Sequence, residues 1–398
     1  MCTPSTPRAS AAGGETARPG LAAIVRAHGE ALRRTQRLAV VQRRALRAIE
    51  TCRTAALGGH LERCDRCGAT RAVYHSCRNR HCPQCQALAQ TRWVEARRAD
   101  LLPIPYFHVV FTLPHALNSL AQARPRLVYA LLFQCAADTL QSFARDPRHL
   151  GGELGLTAVL HTWGQNLDQH VHLHCVVTGG ALARDGARWI PARRGFLFPV
   201  RALSKVFRGK YLAALVRARA QGRLPADAPL PELLRPLRAA PWVVYAKPPF
   251  GGPEQVLRYL GRYTHRIALS DERILSLRGG TVRFRWRDYA DGHRSKVMHL
   301  PAEEFLRRFL LHILPPRFVR IRHFGLLANR RRAAALARCR ALLRQPLPPP
   351  PPPETVLETV RRLTGVDLTT CPVCHEGTLR VVAELVPGTR LPEIPDTS

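Results

Sequence analysis

The stretch "NLDQHVHLHCVVTGG", residues 166 to 180, carries three histidines at alternate positions, followed by small and β-branched residues. In a strand, residues two apart share a face. His170, His172 and His174 therefore project together, while Val171, Leu173 and Cys175 pack on the other side. A lone strand histidine is ordinarily a hydrogen-bonded side chain. Three in register crowd imidazoles that repel once any is protonated, and a metal relieves that crowding. Two histidine ligands leave coordination positions open, which suits an ion that polarises a phosphate.

Further strands are expected around this one. "LTAVLHTWG" precedes it across the linker "QNLDQ", and "YFHVVFTLP" (106 to 114) and "PWVVYAK" (241 to 247) have strand composition. "RILSLRGGTVRFRW" reads as a hairpin with a Gly-Gly turn. Helical spacing marks residues 21 to 50, 87 to 100, 116 to 144 with a break near Pro125, and 201 to 220. It also marks "GGPEQVLRYLGRYTHR" (251 to 266), with Pro253 near its first turn, and "PAEEFLRRFLLHIL". Strands and helices follow one another without βαβ regularity. The expected fold is α+β, a central and mainly antiparallel sheet with helices packed on it.

The chain has 398 residues, enough for a sizeable core, and 61 Lys plus Arg against 28 Asp plus Glu, a net charge of +33. Nucleic acid is the leading partner for such an excess, with an anionic membrane surface second. Arginine dominates it and suits bidentate phosphate contacts better than lysine. No run approaches the roughly 20 apolar residues that span a bilayer, so no membrane partner is expected. "MCTPSTPRASAAGGETARPG" has no apolar stretch after its basic residue and reads as a disordered tail. A cytoplasmic location follows, which argues against disulfides among the twelve cysteines and for metal ligation or burial.

Residues 52 to 85 are dense in Cys and His. Cys64 with Cys67, and Cys82 with Cys85, form two CxxC knuckles whose thiolates complete a tetrahedron around a structural Zn²⁺. Cys52, His60, Cys77 and His81 interleave with them and are candidates for a second zinc; solvent-facing histidines and buried thiols are the equal alternative. Downstream, residues 314 to 345 hold nine arginines and no acidic residue, and "PLPPPPPP" (346 to 353) is a stiff extended spacer. "CPVCH" (371 to 375) supplies two or three ligands, with Cys339 a candidate partner. The expected divisions are a disordered tail (1 to 20), a helix plus zinc-binding domain (21 to 100), the main domain (101 to 335), a basic and polyproline linker (336 to 354) and a small C-terminal segment with CxxC (355 to 398).

In "VLRYLGRYTHR", Tyr259 and Tyr263 are four apart and share a helix face. Arg258, Arg262 and Arg266 form a parallel row suited to phosphate. An amphipathic helix burying both rings is the plain alternative, and the arginine before each tyrosine weighs against it. In "VRFRWRDY", Phe284, Trp286 and Tyr289 interleave with Arg283, Arg285 and Arg287. Base stacking over a basic groove is one reading; a sheet face packed on the core is the favoured one for Phe284 and Trp286.

Together "HVHLH", "YFHVVFTLP", "LHTWGQNL", "GGPEQVLRYLGRYTHR" and "SCRNRHCPQC" resemble the two-tyrosine HUH transposases of rolling-circle insertion sequences. More narrowly, the chain resembles the insertion-sequence-ninety-one family with its N-terminal zinc-binding domain, over roughly residues 45 to 335. The resemblance implies an HUH-type sheet in which His172 and His174 bind Mg²⁺ or Mn²⁺, with His170 in support and "HVH" as the other register. The third ligand varies in such enzymes; Gln165 is the candidate and His161 its competitor. It implies Tyr259 and Tyr263 as nucleophiles that cleave single-stranded DNA at element ends and targets through a 5′-phosphotyrosine link, with Arg258, Arg262 and Arg266 on the DNA. It further implies work at the nucleoid. The sequence contains no GxxxxGK[ST] loop, so strand separation is expected from a host helicase or replication proteins. The competing readings are a rolling-circle replication initiator or relaxase, a non-enzymatic zinc-dependent DNA-binding protein, and a metal hydrolase. The zinc module and "RYLGRYTHR" favour the transposase over the first, the second leaves the paired tyrosines unexplained, and the third wants further Asp or His ligands.

Overall fold

The computed structural model describes residues 18–224, 230–247, 255–256, 259, 261, 268–289, 291–346 and 354–389. Two helices, α1 (Leu21–Thr35) and α2 (Val40–Glu50), precede a hairpin of β1 (Gly59–Cys64) and β2 (Thr70–Tyr74). Helix α3 (Gln86–Arg98) leads to β3 (Tyr106–Thr112), then α4 (Asn118–Ala123) and α5 (Pro125–Arg145). Pro125 opens α5 at its first turn, where its missing N–H costs nothing. The short β4 (Gly152–Glu153), β5 (Gly155–Trp163), β6 (Gln169–Thr178), β7 (Gly180–Ala183) and β8 (Trp189–Pro191) follow. Next come α6 (Val200–Ala220), α7 (Leu230–Ala239) and β9 (Val244–Lys247), then β10 (Ile274–Arg278), β11 (Thr281–Asp288) and β12 (Arg294–Pro301). A helix over Ala302–Leu310, β13 (Ile321–Gly325), helices over Arg332–Leu342 and Val356–Thr364, and β14 (Leu379–Leu385) complete the elements of the described residues.

The expected α+β class and antiparallel sheet are present. The central sheet runs β13-β5-β6-β3-β9 with every pairing antiparallel. Alternation splits it into two faces. Phe107, Val109 and Phe111 of β3, Leu156, Ala158 and Leu160 of β5, and Val171, Leu173, Cys175 and Val177 of β6 are buried together under α5 and α6. The Phe111 and Phe207 rings meet edge-on at 4.8 Å, joining sheet to α6. The other face carries histidines.

A second core ties the chain's beginning to its later part. Leu21, Ile24, Val25 and Leu32 of α1 and Leu46 and Ile49 of α2 pack with Val282, Phe284, Phe305, Leu306 and Phe309. Phe284 reaches Phe305 at 5.5 Å between ring centroids. Gly279 and Gly280 turn the β10–β11 hairpin at φ of 53° and 71°, the left-handed region that glycine enters freely. β14 pairs with β1 from Gly59↔Leu385 to Cys64↔Leu379, so a third sheet, β14-β1-β2, brings the C-terminal segment onto the N-terminal hairpin. Among the described residues no helix is long and apolar enough to cross a membrane.

Candidate active site

Four imidazoles meet on the polar face of the central sheet because pleat and register coincide. His172 and His174 alternate along β6; His161 stands opposite His172, and His108 stands opposite Val176. Directly opposed residues of an antiparallel pair share a face. One nitrogen from each of His161, His172 and His174 lies within 4.8 Å of the other two. His172 Nδ1 donates to the His170 carbonyl at 2.8 Å, which leaves the lone pair on Nε2. These three imidazoles could hold a divalent cation and would leave positions open on it.

Gln255, Val256, Tyr259 and Gly261 have helical backbone, and Tyr259 reaches this face. The Tyr259 hydroxyl is 2.9 Å from His174 Nδ1 and also hydrogen-bonds His108 Nε2. His108 Nε2 lies 3.0 Å from the same His174 nitrogen. Burial, with Lys247 adding to it, lowers the His108 pKa to about 3, so this imidazole is neutral. Tyr259 packs beside buried Tyr106, Val176, Val256 and Leu326. Gln90 of α3 donates to the Gly261 carbonyl, tying the tyrosine segment to the helix that follows the cysteine cluster.

Sequence reasoning put Gln165 ahead of His161 as third ligand. Here Gln165, in the turn after β5, donates to Tyr289 Oη at 3.3 Å, while His161 joins His172 and His174. His170 pairs with His115, Nδ1 to Nε2, at 3.2 Å. Tyr263, Arg258, Arg262 and Arg266 lie outside the described residues. His108 went unassigned, although its place between apolar neighbours in "YFHVVFTLP" marks it as a buried polar group. In β11, Phe284 is buried and Trp286 packs against the second core, while Arg283, Arg285 and Arg287 are exposed. The core reading of both aromatics therefore stands.

The cysteines regroup. Cys52, Cys77, Cys82 and Cys85 form one cluster; Cys64, Cys67, Cys371 and Cys374 form another. The expected Cys64–Cys67–Cys82–Cys85 site is not formed. The reason is hairpin geometry: Cys64 and Cys67 sit at the tip of β1–β2, whereas Cys52 and Cys77 flank its base beside Cys82 and Cys85. A six-residue strand separates tip from base by on the order of 17 Å at about 3.3 Å per residue. His60 and His81 join neither cluster; His60 Nε2 lies 3.2 Å from Glu62 Oε1, and burial lowers His81 to about 3. Cys339, the expected partner of "CPVCH", is instead buried among Leu102, Ile104 and Leu336. In the first cluster Cys52 Sγ and Cys77 Sγ lie 3.5 and 3.6 Å from Cys85 Sγ. A tetrahedron of Zn–S bonds near 2.3 Å sets sulfurs roughly 3.8 Å apart, so the residues fit zinc. A hydrogen bond from Cys82 lowers Cys77 to about 5, while burial raises Cys52 to about 11.

The chain is a member of the IS91/IS801 transposase family. Residues 155–334 match the family model described as "Putative transposase", and residues 24–113 match "Transposase zinc-binding domain". The chain is 51% identical over 394 residues to "Putative transposase y4qJ" of Sinorhizobium fredii, covering 96% of this chain and 99% of that protein. It is 28% identical over 342 residues to "Transposase for insertion sequence element IS801" of Pseudomonas savastanoi pv. phaseolicola, covering 81% and 79% respectively. No solved structure matches. The protein is thus a transposase with a zinc-binding domain, and its partner is DNA.

Proposed function

We propose that this transposase nicks and rejoins single-stranded DNA through a 5′-phosphotyrosine link, for rolling-circle movement of its element. The observation that carries the reading is the Tyr259 hydroxyl, 2.9 Å from a histidine of a three-imidazole cluster. Mn²⁺ or Mg²⁺ held by His161, His172 and His174 would withdraw charge from the non-bridging oxygens of the scissile phosphate. With Nε2 left for the cation, His174 would keep Nδ1–H to donate to the Tyr259 oxygen, and the phenol proton would be held by His108 Nε2.

A phenol ordinarily ionises near pH 10, so these contacts matter at the moment of attack. The phenolate oxygen forms a bond to phosphorus, the bond from phosphorus to the 3′-oxygen breaks, and that oxygen departs as a 3′-hydroxyl after taking a proton. The ester conserves the phosphodiester energy, so a 3′-hydroxyl from another strand reverses the step without a nucleotide cofactor. Tyr263 supplies a second cleavage while Tyr259 carries DNA. Arg258, Arg262 and Arg266 are assigned to the phosphates, and a host helicase or the replication machinery at the nucleoid to strand separation.

The test is incubation with Mn²⁺ or Mg²⁺ and single-stranded DNA bearing the element's end, followed by denaturing electrophoresis. A covalent protein–DNA adduct is expected, and it disappears when Tyr259→Phe and Tyr263→Phe are combined. An adduct surviving the double change overturns the nucleophile assignment; tight DNA binding without any adduct favours a non-enzymatic role.

A further inference from the structure

The sheet β14-β1-β2 has almost nothing apolar to hold it. Every residue of β2 is half-buried, and in β14 five consecutive residues, Arg380 to Glu384, are exposed. Three short strands without a buried face do not persist in water unless something else staples them. Two thiol pairs stand where such a staple belongs. Cys64 Sγ is 3.7 Å from Cys374 Sγ, and Cys67 Sγ is 3.7 Å from Cys371 Sγ, across 310 and 304 residues of chain. All four sulfurs lie within 4.8 Å of one another.

Those separations are the edge lengths of a zinc–thiolate tetrahedron, roughly 3.8 Å, and too long for disulfides, whose sulfurs are about 2.05 Å apart. Each pair is also shaped as a knuckle whose amides face its own sulfurs. Cys67 N–H donates to Cys64 Sγ at 3.5 Å, Val373 N–H to Cys371 Sγ at 3.4 Å, and Gly377 N–H to Cys374 Sγ at 3.3 Å. Cys371 and Cys374 lie beyond residue 113, where the match to the zinc-binding domain ends.

We propose that Cys64, Cys67, Cys371 and Cys374 hold a second structural zinc ion, which clamps the C-terminal segment onto the N-terminal hairpin. Smaller contacts follow from the clamp. Thr378 N–H donates to Asp65 Oδ1 at 2.8 Å, and Arg71 donates to the Leu368 carbonyl at 3.0 Å. The helix Val356–Thr364, started by a Thr355–Glu358 capping box, places Arg362 against Glu95 of α3. The same α3 holds the Tyr259 segment through Gln90, so the clamp closes the chain around the helix that supports the tyrosine.

Native mass spectrometry of the full chain measures the ion count. Two zinc ions per chain are expected, falling to one in the Cys371→Ser/Cys374→Ser variant and remaining two in Cys135→Ser. One zinc in the unmutated chain, or two in the clamp variant, overturns the proposal. Should the double variant not fold, graded chelation of the unmutated chain with alkylation of released thiols decides. Cys64, Cys67, Cys371 and Cys374 are expected to become reactive together and apart from Cys52, Cys77, Cys82 and Cys85. Reaction of Cys371 and Cys374 without Cys64 and Cys67 overturns the clamp. Zinc count and thiol reactivity are independent of DNA cleavage, so failure here leaves the proposed chemistry standing, and the reverse.

Discussion

The Tyr259 hydroxyl lies 2.9 Å from Nδ1 of His174, a residue whose neighbours two and thirteen positions upstream, His172 and His161, complete an imidazole cluster. The proposed nucleophile and the proposed cation-binding face are therefore adjacent through one side chain.

The third ligand is tested by comparing His161→Ala with Gln165→Ala. Loss of His161 is expected to weaken Mn²⁺ binding by at least about 10–100-fold and to slow cleavage with it. Gln165→Ala is expected to change both by less than about threefold, because its amide contacts Tyr289. Titration calorimetry with Mn²⁺ reads the first quantity; the opposite ranking would restore Gln165 to the ligand set.

His108 contacts the phenol but not through the proposed ligand set. His108→Phe keeps an aromatic ring on β3 and removes the nitrogen that hydrogen-bonds Tyr259. Adduct formation is expected to slow by about 10–100-fold at saturating Mn²⁺, with Mn²⁺ affinity unchanged. A parallel loss of affinity would show that His108 itself ligates the ion.

Arg283, Arg285 and Arg287 form an exposed row on β11 whose backs are covered by the buried aromatic face. If all three meet phosphates, the triple alanine variant should lose about 2 units from the slope of log affinity against log salt on single strands, at about 0.7 per contact. Thermal stability should hold, since the row is solvated. An unchanged slope would place the DNA elsewhere.

Buried histidines are expected to make the fold acid-sensitive. His312, 3% exposed, donates from Nε2 to the Leu167 carbonyl at 3.0 Å, and burial lowers it to about 4. His323 is also lowered to about 4, by burial first and then by Arg97 and Arg332. Above about pH 6.5 both are neutral folded or unfolded and add no pH dependence. As pH falls below that value the unfolded chain binds protons that the folded chain refuses until about pH 4. Stability therefore falls through that window, with His312 contributing about 1.4 kcal/mol per pH unit. Urea unfolding at several pH values should give a shallower dependence for His312→Gln, and an equal slope would mean His312 titrates normally.

Much of this is legible in the sequence. The period-2 alternation in "HVHLH" placed its histidines on one face and its aliphatic residues on the other, because a strand admits no other arrangement. Pro125, the Gly-Gly turn and the interleaved Arg and aromatic residues of β11 were local signals of the same kind. They need only the neighbouring few residues to act.

The groupings across strands were not legible. His161 joins His172 through β5–β6 register, in a ladder that slips by one residue between His161 and Trp163. His108 arrives from a strand 66 positions away. A CxxC knuckle states that two thiolates face one ion, and nothing in its spacing names the other two. The length of a hairpin carried Cys64 and Cys67 away from Cys82 and Cys85, and the return of β14 supplied their partners. Periodicity is written in adjacent residues, so the sequence determines faces and knuckles. Which of them meet depends on strand length, register and chain return, and those are properties of the folded chain.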